Sequence, residues 1–95
     1  MIGKRLKLAR VNMKLTQAEL GSKAGIDEET ASSRVSQYER EISEPSFAIV
    51  RQFALVLDVP GAYFYAEDDD LASLILQYHR FKKERPESFV MLIPR

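Results

Sequence analysis

Gln37 is the side chain with most to offer a partner, because its amide presents donors and an acceptor in one plane, the pattern that pairs with an adenine edge. Glu29, Ser33, Ser36 and Arg40 recur around it at helical spacing, with Arg34 close by. Arg34 suits guanine or phosphate, and the serine hydroxyls suit several bases. Upstream, Thr16 and Gln17 open a helix, where backbone N–H groups and the positive dipole end can meet a phosphate. These types suit a nucleic-acid duplex, one group for its backbone and the other for its base edges. Catalysis has no comparable support. His79 stands without a serine, cysteine or carboxylate arrangement, and no glycine loop could cradle a phosphate. The run Glu67–Asp70 lacks the turn and spacing of a calcium loop and reads as helix capping. No enzyme activity, metal or cofactor is expected.

The elements that position these side chains are helices. Ile2, Leu6, Ala9 and Met13 form one apolar stripe on a first helix, whose other faces carry Lys4, Arg5, Lys7 and Arg10. Thr16-Gln17-Ala18-Glu19 is a capping box, and Gly25 suits the left-handed position that ends a short second helix. Ala31, Val35 and Tyr38 define the buried side of a third helix, opposite Glu29, Ser33, Ser36, Gln37 and Arg40. Tyr38 reads as a packed residue with its hydroxyl at the surface, and Glu39 as a structural partner for a base on the first helix. Pro45 stops the third helix, and Ser46 caps a fourth with Val50, Phe53, Ala54 and Leu57 inward. Asp58-Val59-Pro60-Gly61 breaks the chain before a short aromatic turn, Ala62 to Ala66. Asp68-Asp69-Asp70 then opens a sixth helix that ends ahead of Pro86, with acids at its start and Arg80, Lys82 and Lys83 at its end.

Composition sets the bounds. The 95 residues are 45% hydrophobic and 29% charged, as in an ordinary globular protein, and no apolar run could cross a membrane. Met1 to Lys7 lacks the apolar stretch of a secretory signal. The absence of cysteine excludes disulfides and thiolate zinc sites and fits a reducing cytoplasm. A formal net charge of zero counts against nucleic acid, but the charge is segregated. Lys4, Arg5, Lys7, Arg10, Lys14 and Lys23 precede the first acid cluster with only Glu19 among them.

Two short helices joined through a glycine, the second with a polar outer face, form a helix-turn-helix. The chain here resembles the lambda-repressor/Cro-like helix-turn-helix regulators. The resemblance is carried by Ile2-Gly3-Lys4-Arg5-Leu6, Ala9-Arg10, Leu15-Thr16-Gln17-Ala18-Glu19-Leu20 and Ala24-Gly25-Ile26. It continues through Val35-Ser36-Gln37-Tyr38-Glu39-Arg40, Pro45 and Phe53-Ala54 to Leu57 and Val59, spanning roughly residues 2 to 64. It implies an all-α, five-helix DNA-binding bundle with an additional C-terminal helix. It also implies a transcriptional regulator that binds an operator, an inverted repeat, as a homodimer. Phosphate contact falls at Gln17, and base reading around Ser32, Ser33 and Gln37, on a helix spanning about 31–40.

Lys14 and Glu41 stand where that family favours glycine, and Gly21 replaces the usual alanine, a small change at a helix-packing position. Gly25 to Glu39 is about four residues longer than the family spacing, roughly one helical turn. Either the third helix starts a turn early with Asp27 as its cap, or the connecting loop is longer. The loop is favoured, since three acids driven toward phosphates are costly, although an acid can accept a hydrogen bond from cytosine.

The expected organisation is a helix-turn-helix DNA-binding domain over 1–66 and a helical extension over 67–95. On that extension Leu71, Leu74, Ile75 and Tyr78 form a stripe that reads as a dimer seam, with packing onto its own domain as the alternative. The rival functional class is a protein-binding adaptor or antitoxin-like partner, acting through the C-terminal segment and its apolar run Phe89-Val90-Met91-Leu92-Ile93.

Overall fold

Local chemistry starts and stops the helices of this protein. The computed structural model describes residues 2–85, and among them the order is α1 (Gly3–Asn12), α2 (Gln17–Lys23), α3 (Glu28–Glu39), α4 (Phe47–Leu57), α5 (Gly61–Tyr65) and α6 (Asp69–Glu84). The capping box at α2 is complete: the Thr16 hydroxyl accepts from the Glu19 N–H at 3.0 Å, and Glu19 Oε1 accepts from the Thr16 N–H at 2.8 Å. The Thr16 backbone N–H, and after it the Thr16 hydroxyl, hold the Glu19 carboxyl below its ordinary value. Ser46 caps α4 by accepting from the Ile49 N–H at 3.2 Å, and Asp68 caps α6 through the Asp70 N–H at 3.2 Å. Gly25 turns the chain between α2 and α3 at φ 90°, a conformation that only glycine adopts cheaply. Lys14 and Glu41 take the left-handed conformation without glycine, at φ 58° and 62°.

One core joins the first five helices. Leu6, Leu20, Val35, Val50, Phe53 and Phe64 are fully buried, and every helix from α1 to α5 supplies at least one of them. Tyr38 meets Phe53 edge to face, with ring centroids 6.0 Å apart. The stripe expected on α1 holds for Ile2, Leu6 and Ala9 but not for Met13, which follows the last turn and is exposed.

Two further expectations are corrected. Arg5 is not on a solvated face. It is buried, donates to the Ala66 and Glu67 carbonyls at 3.0 and 3.2 Å, and lies over the Tyr63 ring. It therefore satisfies carbonyls left open where α5 ends. The extra residues before Ala31 form a helical turn and not a loop: α3 begins at Glu28, and the Asp27 carbonyl accepts from the Thr30 N–H at 3.0 Å. Ala31, fully buried, extends the Val35–Tyr38 stripe by one turn, so packing on α2 favours helix there. Glu28 and Glu29 in that first turn also complement the helix dipole.

α6 is attached differently from the rest. Ala72 is its buried residue, and Ile75 and Leu76 pack partly against the core. Ion pairs pin its two ends. Asp69 meets Lys4 and Arg5 at 3.1 and 2.9 Å, while Asp58 meets Lys83 at 2.7 Å and His79 at 3.1 Å. Lys4 and then Arg5 hold the Asp69 carboxyl below its ordinary value, and Lys83 and then His79 do so for Asp58. His79 is thus a half-buried anchor, not the solitary side chain it seemed in sequence. The segment Ser88 to Ile93 lies outside the described residues.

Candidate nucleic-acid interface

The candidate surface is the outer side of α2 and α3, which pack closely on each other through the Gly25 turn. With Ala31, Val35 and Tyr38 buried, the 100° step of the helix sends Glu29, Ser33, Ser36, Gln37 and Arg40 outward. The Gln37 side chain is exposed, and its amide has no hydrogen-bond partner among the described residues. Ser32 is exposed likewise. Ser33 donates to the Thr30 carbonyl at 3.1 Å, which leaves its oxygen able to accept. Arg34 is held over the Tyr38 ring at 5.8 Å and donates to the Tyr38 hydroxyl at 2.7 Å, so its guanidinium starts from a restricted set of positions. Arg40 donates to the Ser36 hydroxyl at 3.2 Å, which couples those two side chains.

Behind this surface lies a polar clamp. The Glu39 carboxylate receives Arg10 through two nitrogens, at 2.6 and 3.1 Å, and Gln17 Nε2 at 3.0 Å. Its side chain is 3% exposed and that of Arg10 is 13% exposed. A third Arg10 nitrogen donates to the Leu15 carbonyl at 3.0 Å. One carboxylate near the end of α3 thereby ties together α1, the chain entering α2, and Gln17 on the first turn of α2. The pairing of Glu39 with a base on α1 was legible in the sequence; the addition of Gln17 was not. Gln17 is half-buried, with its amide nitrogen committed to Glu39 and its amide plane fixed by that bond.

The basic residues that looked like a patch along the chain divide in space. Lys4, Arg5 and Arg10 are engaged by Asp69, by the carbonyls beyond α5 and by Glu39. Lys7, Lys14, Lys23, Arg34 and Arg40 remain exposed for a polyanion. The positive segment is therefore weaker as a surface than as a sequence, because sequence position does not reveal which cations the fold uses internally.

Gly21 was undervalued. A Cβ built there would lie 2.7 Å from the Ala31 Cβ and 3.0 Å from the Ala31 Cα and carbonyl oxygen. Two of these atoms are backbone, so α2 and α3 approach at a distance that even alanine would disturb. The signal in the sequence was the coincidence of Gly21 with an insertion bearing a small residue, Ala31, on the buried stripe.

Far from α3, the stripe proposed for the extension splits. Leu71, Leu74 and Tyr78 are 48%, 60% and 41% exposed, whereas Ile75 turns inward onto the core. Among the described residues there is no group of side chains suited to a metal ion and no helix long and apolar enough to cross a membrane.

The family model described as helix-turn-helix matches residues 6–64. Among solved structures, the chain is similar to the transcriptional regulator BswR, at 43% identity and a TM-score of 0.80, over 98% of this chain and 95% of that one. No curated protein matches the chain.

Proposed function

This chain belongs to the lambda-repressor/Cro-like helix-turn-helix family of DNA-binding transcriptional regulators, which are not enzymes, and from that premise we propose that it is a sequence-specific repressor reading the major groove with α3. The observation that carries the reading is Gln37, exposed and unpartnered among the described residues on the outward stripe of a helix whose position the Glu39 clamp fixes. A planar amide with all its hydrogen-bonding capacity available, held on a rigid helix, suits recognition of an adenine edge. Ser32, Ser33, Arg34, Ser36 and Arg40 flank it as further base or phosphate contacts. Thr16 and Gln17 set register on the DNA backbone, Gln17 with its amide plane oriented by Glu39.

The protein acts in the cytoplasm as a homodimer on an inverted repeat, with α6 as the seam. Leu71, Leu74 and Tyr78 support that seam, since they are apolar, exposed and spaced along one side of α6. A two-fold pair would bring its reading helices to half-sites about 34 Å apart. Selection of binding sites from a random duplex pool tests the reading, with wild type and Gln37→Ala side by side. An inverted repeat from wild type, degraded at one position of each half-site by the substitution, is the expected result. No enrichment at moderate salt would refute sequence reading and leave the adaptor function in its place.

A further inference from the structure

The first turn of α3 is extra length relative to the family spacing, and the fold has made it part of the helix. Four residues add about 6 Å along the axis, close to two base-pair steps of about 3.4 Å. The added turn is rotationally fixed. Ala31 is fully buried and sits where a Cβ on Gly21 would come within 2.7 Å of it. With Ala31 in that seat, Glu29 falls on the outward stripe, one turn beyond Ser33 and in line with Gln37 and Arg40. Its carboxylate is exposed and has no hydrogen bond or ion pair among the described residues.

We infer that the first turn of α3 is an added specificity element of the DNA-reading helix, seated by Ala31 on Gly21 and reading through Glu29, whose carboxylate takes the amino group of a base, cytosine foremost. This rests on the reading that α3 occupies the major groove. An ionised carboxylate only accepts hydrogen bonds, so it pairs with the cytosine N4 amine and opposes the acceptor edge of guanine. Phosphates repel it, so it adds nothing to general affinity. Its contribution is to exclude duplexes that lack an amino group at the matching position. An acid serving only as a dipole partner needs the first turn but no particular side of it. The Gly21–Ala31 seat assigns Glu29 a side, and that side is the one bearing Gln37.

The same site selection, extended to Glu29→Gln, Gly21→Ala and the double variant Gly21→Ala with Ala31→Gly, tests this, with thermal melts of each protein. Glu29→Gln should melt close to wild type yet change the preferred base at one position per half-site, from cytosine toward adenine. That position lies outside the one degraded by Gln37→Ala, and the discrimination there shifts roughly tenfold. Gly21→Ala should blur the same position, and adding Ala31→Gly should restore it only in part, since it removes the 2.7 Å clash with the Ala31 Cβ but leaves the backbone atoms at 3.0 Å. If Gly21→Ala does not fold, Glu29→Gln decides alone. Wild type and Gln37→Ala behaving as proposed while Glu29→Gln selects the wild-type sequence with unchanged strength at every position would overturn the inference and leave the DNA-reading function standing. Failure of wild type to enrich any sequence would remove both.

Discussion

Replacing Glu39 with leucine should cost this protein about 3 kcal/mol, and most of that cost should vanish when Arg10 is replaced as well. The carboxylate accepts three hydrogen bonds, two from Arg10 and one from Gln17, and its side chain is 3% exposed. Removing one member of such a pair strands the other, at a typical cost of about 3–5 kcal/mol. Arg10 is 13% exposed and keeps the Leu15 carbonyl, so water and that acceptor recover part of the loss and set the lower end of the range. A domain of this length holds about 5–14 kcal/mol in total. At about 4–8 °C per kcal/mol, the single variant should melt about 12–24 °C lower. In Arg10→Met with Glu39→Leu no charge is stranded, and apolar packing replaces the pair at little net cost. Urea and thermal unfolding by circular dichroism read both numbers. A loss under about 1 kcal/mol in the single variant, or a double variant as unstable as the single, would refute the view that stranded charge dominates. The double variant should also bind DNA more weakly than wild type at equal stability, since Gln17 loses the carboxylate that orients it.

The remaining predictions concern α6, the left-handed turns and acid. Leu74→Glu, on the most exposed residue of the α6 face, should convert a dimer to a monomer in analytical ultracentrifugation with little change in melting, and a wild type that is already monomeric at high micromolar concentration would sink the seam. Lys14→Gly should stabilise by about 1 kcal/mol by relieving a side chain at φ 58°, and a destabilised variant would show that the lysine stem contributes more by packing than its backbone loses. Asp58 and Asp69 have folded carboxyls held below the ordinary aspartate value of 3.8, so the unfolded chain binds protons first on acidification. Their contribution is therefore full above about pH 5 and is lost as pH falls through 3.8 toward the lowered folded values. Asp58→Asn with Asp69→Asn should flatten that part of the acid titration of stability, and an unchanged titration would place the acid sensitivity elsewhere.

Much of the helix layout was legible because its signals are short. The Thr16–Glu19 box, Ser46 and Asp68 act within a few residues of themselves, through bonds between a side chain and its own turn of backbone, and Gly25 acts through its own left-handed conformation. The buried positions Leu6, Val35, Tyr38, Phe53 and Leu57 follow from helical period for a similar reason, since the side that must avoid water is a property of the segment. The start of α3 could not be read that way. Asp27-Glu28-Glu29 is compatible with a loop or a first turn, and the repulsion expected from phosphates pointed to the loop. The balance tips to helix only when Ala31 is set against Gly21, ten residues away on another helix.

By itself, then, the sequence determined an all-helical chain and the outward stripe of its third helix, because period and capping are local physics. Tertiary structure alone decided the length of that helix, the seat that phases Glu29, the spending of Arg5 on carbonyls beyond α5, and which base on α1 meets Glu39, with Gln17 added to the pair. Each of these depends on two surfaces far apart in the chain matching in shape or charge, with separations of 29 residues for Arg10 to Glu39 and 61 for Arg5 to Ala66. No local preference encodes such a match. It exists only once the core has brought the surfaces together, and the burial of that core supplies the free energy that holds them there.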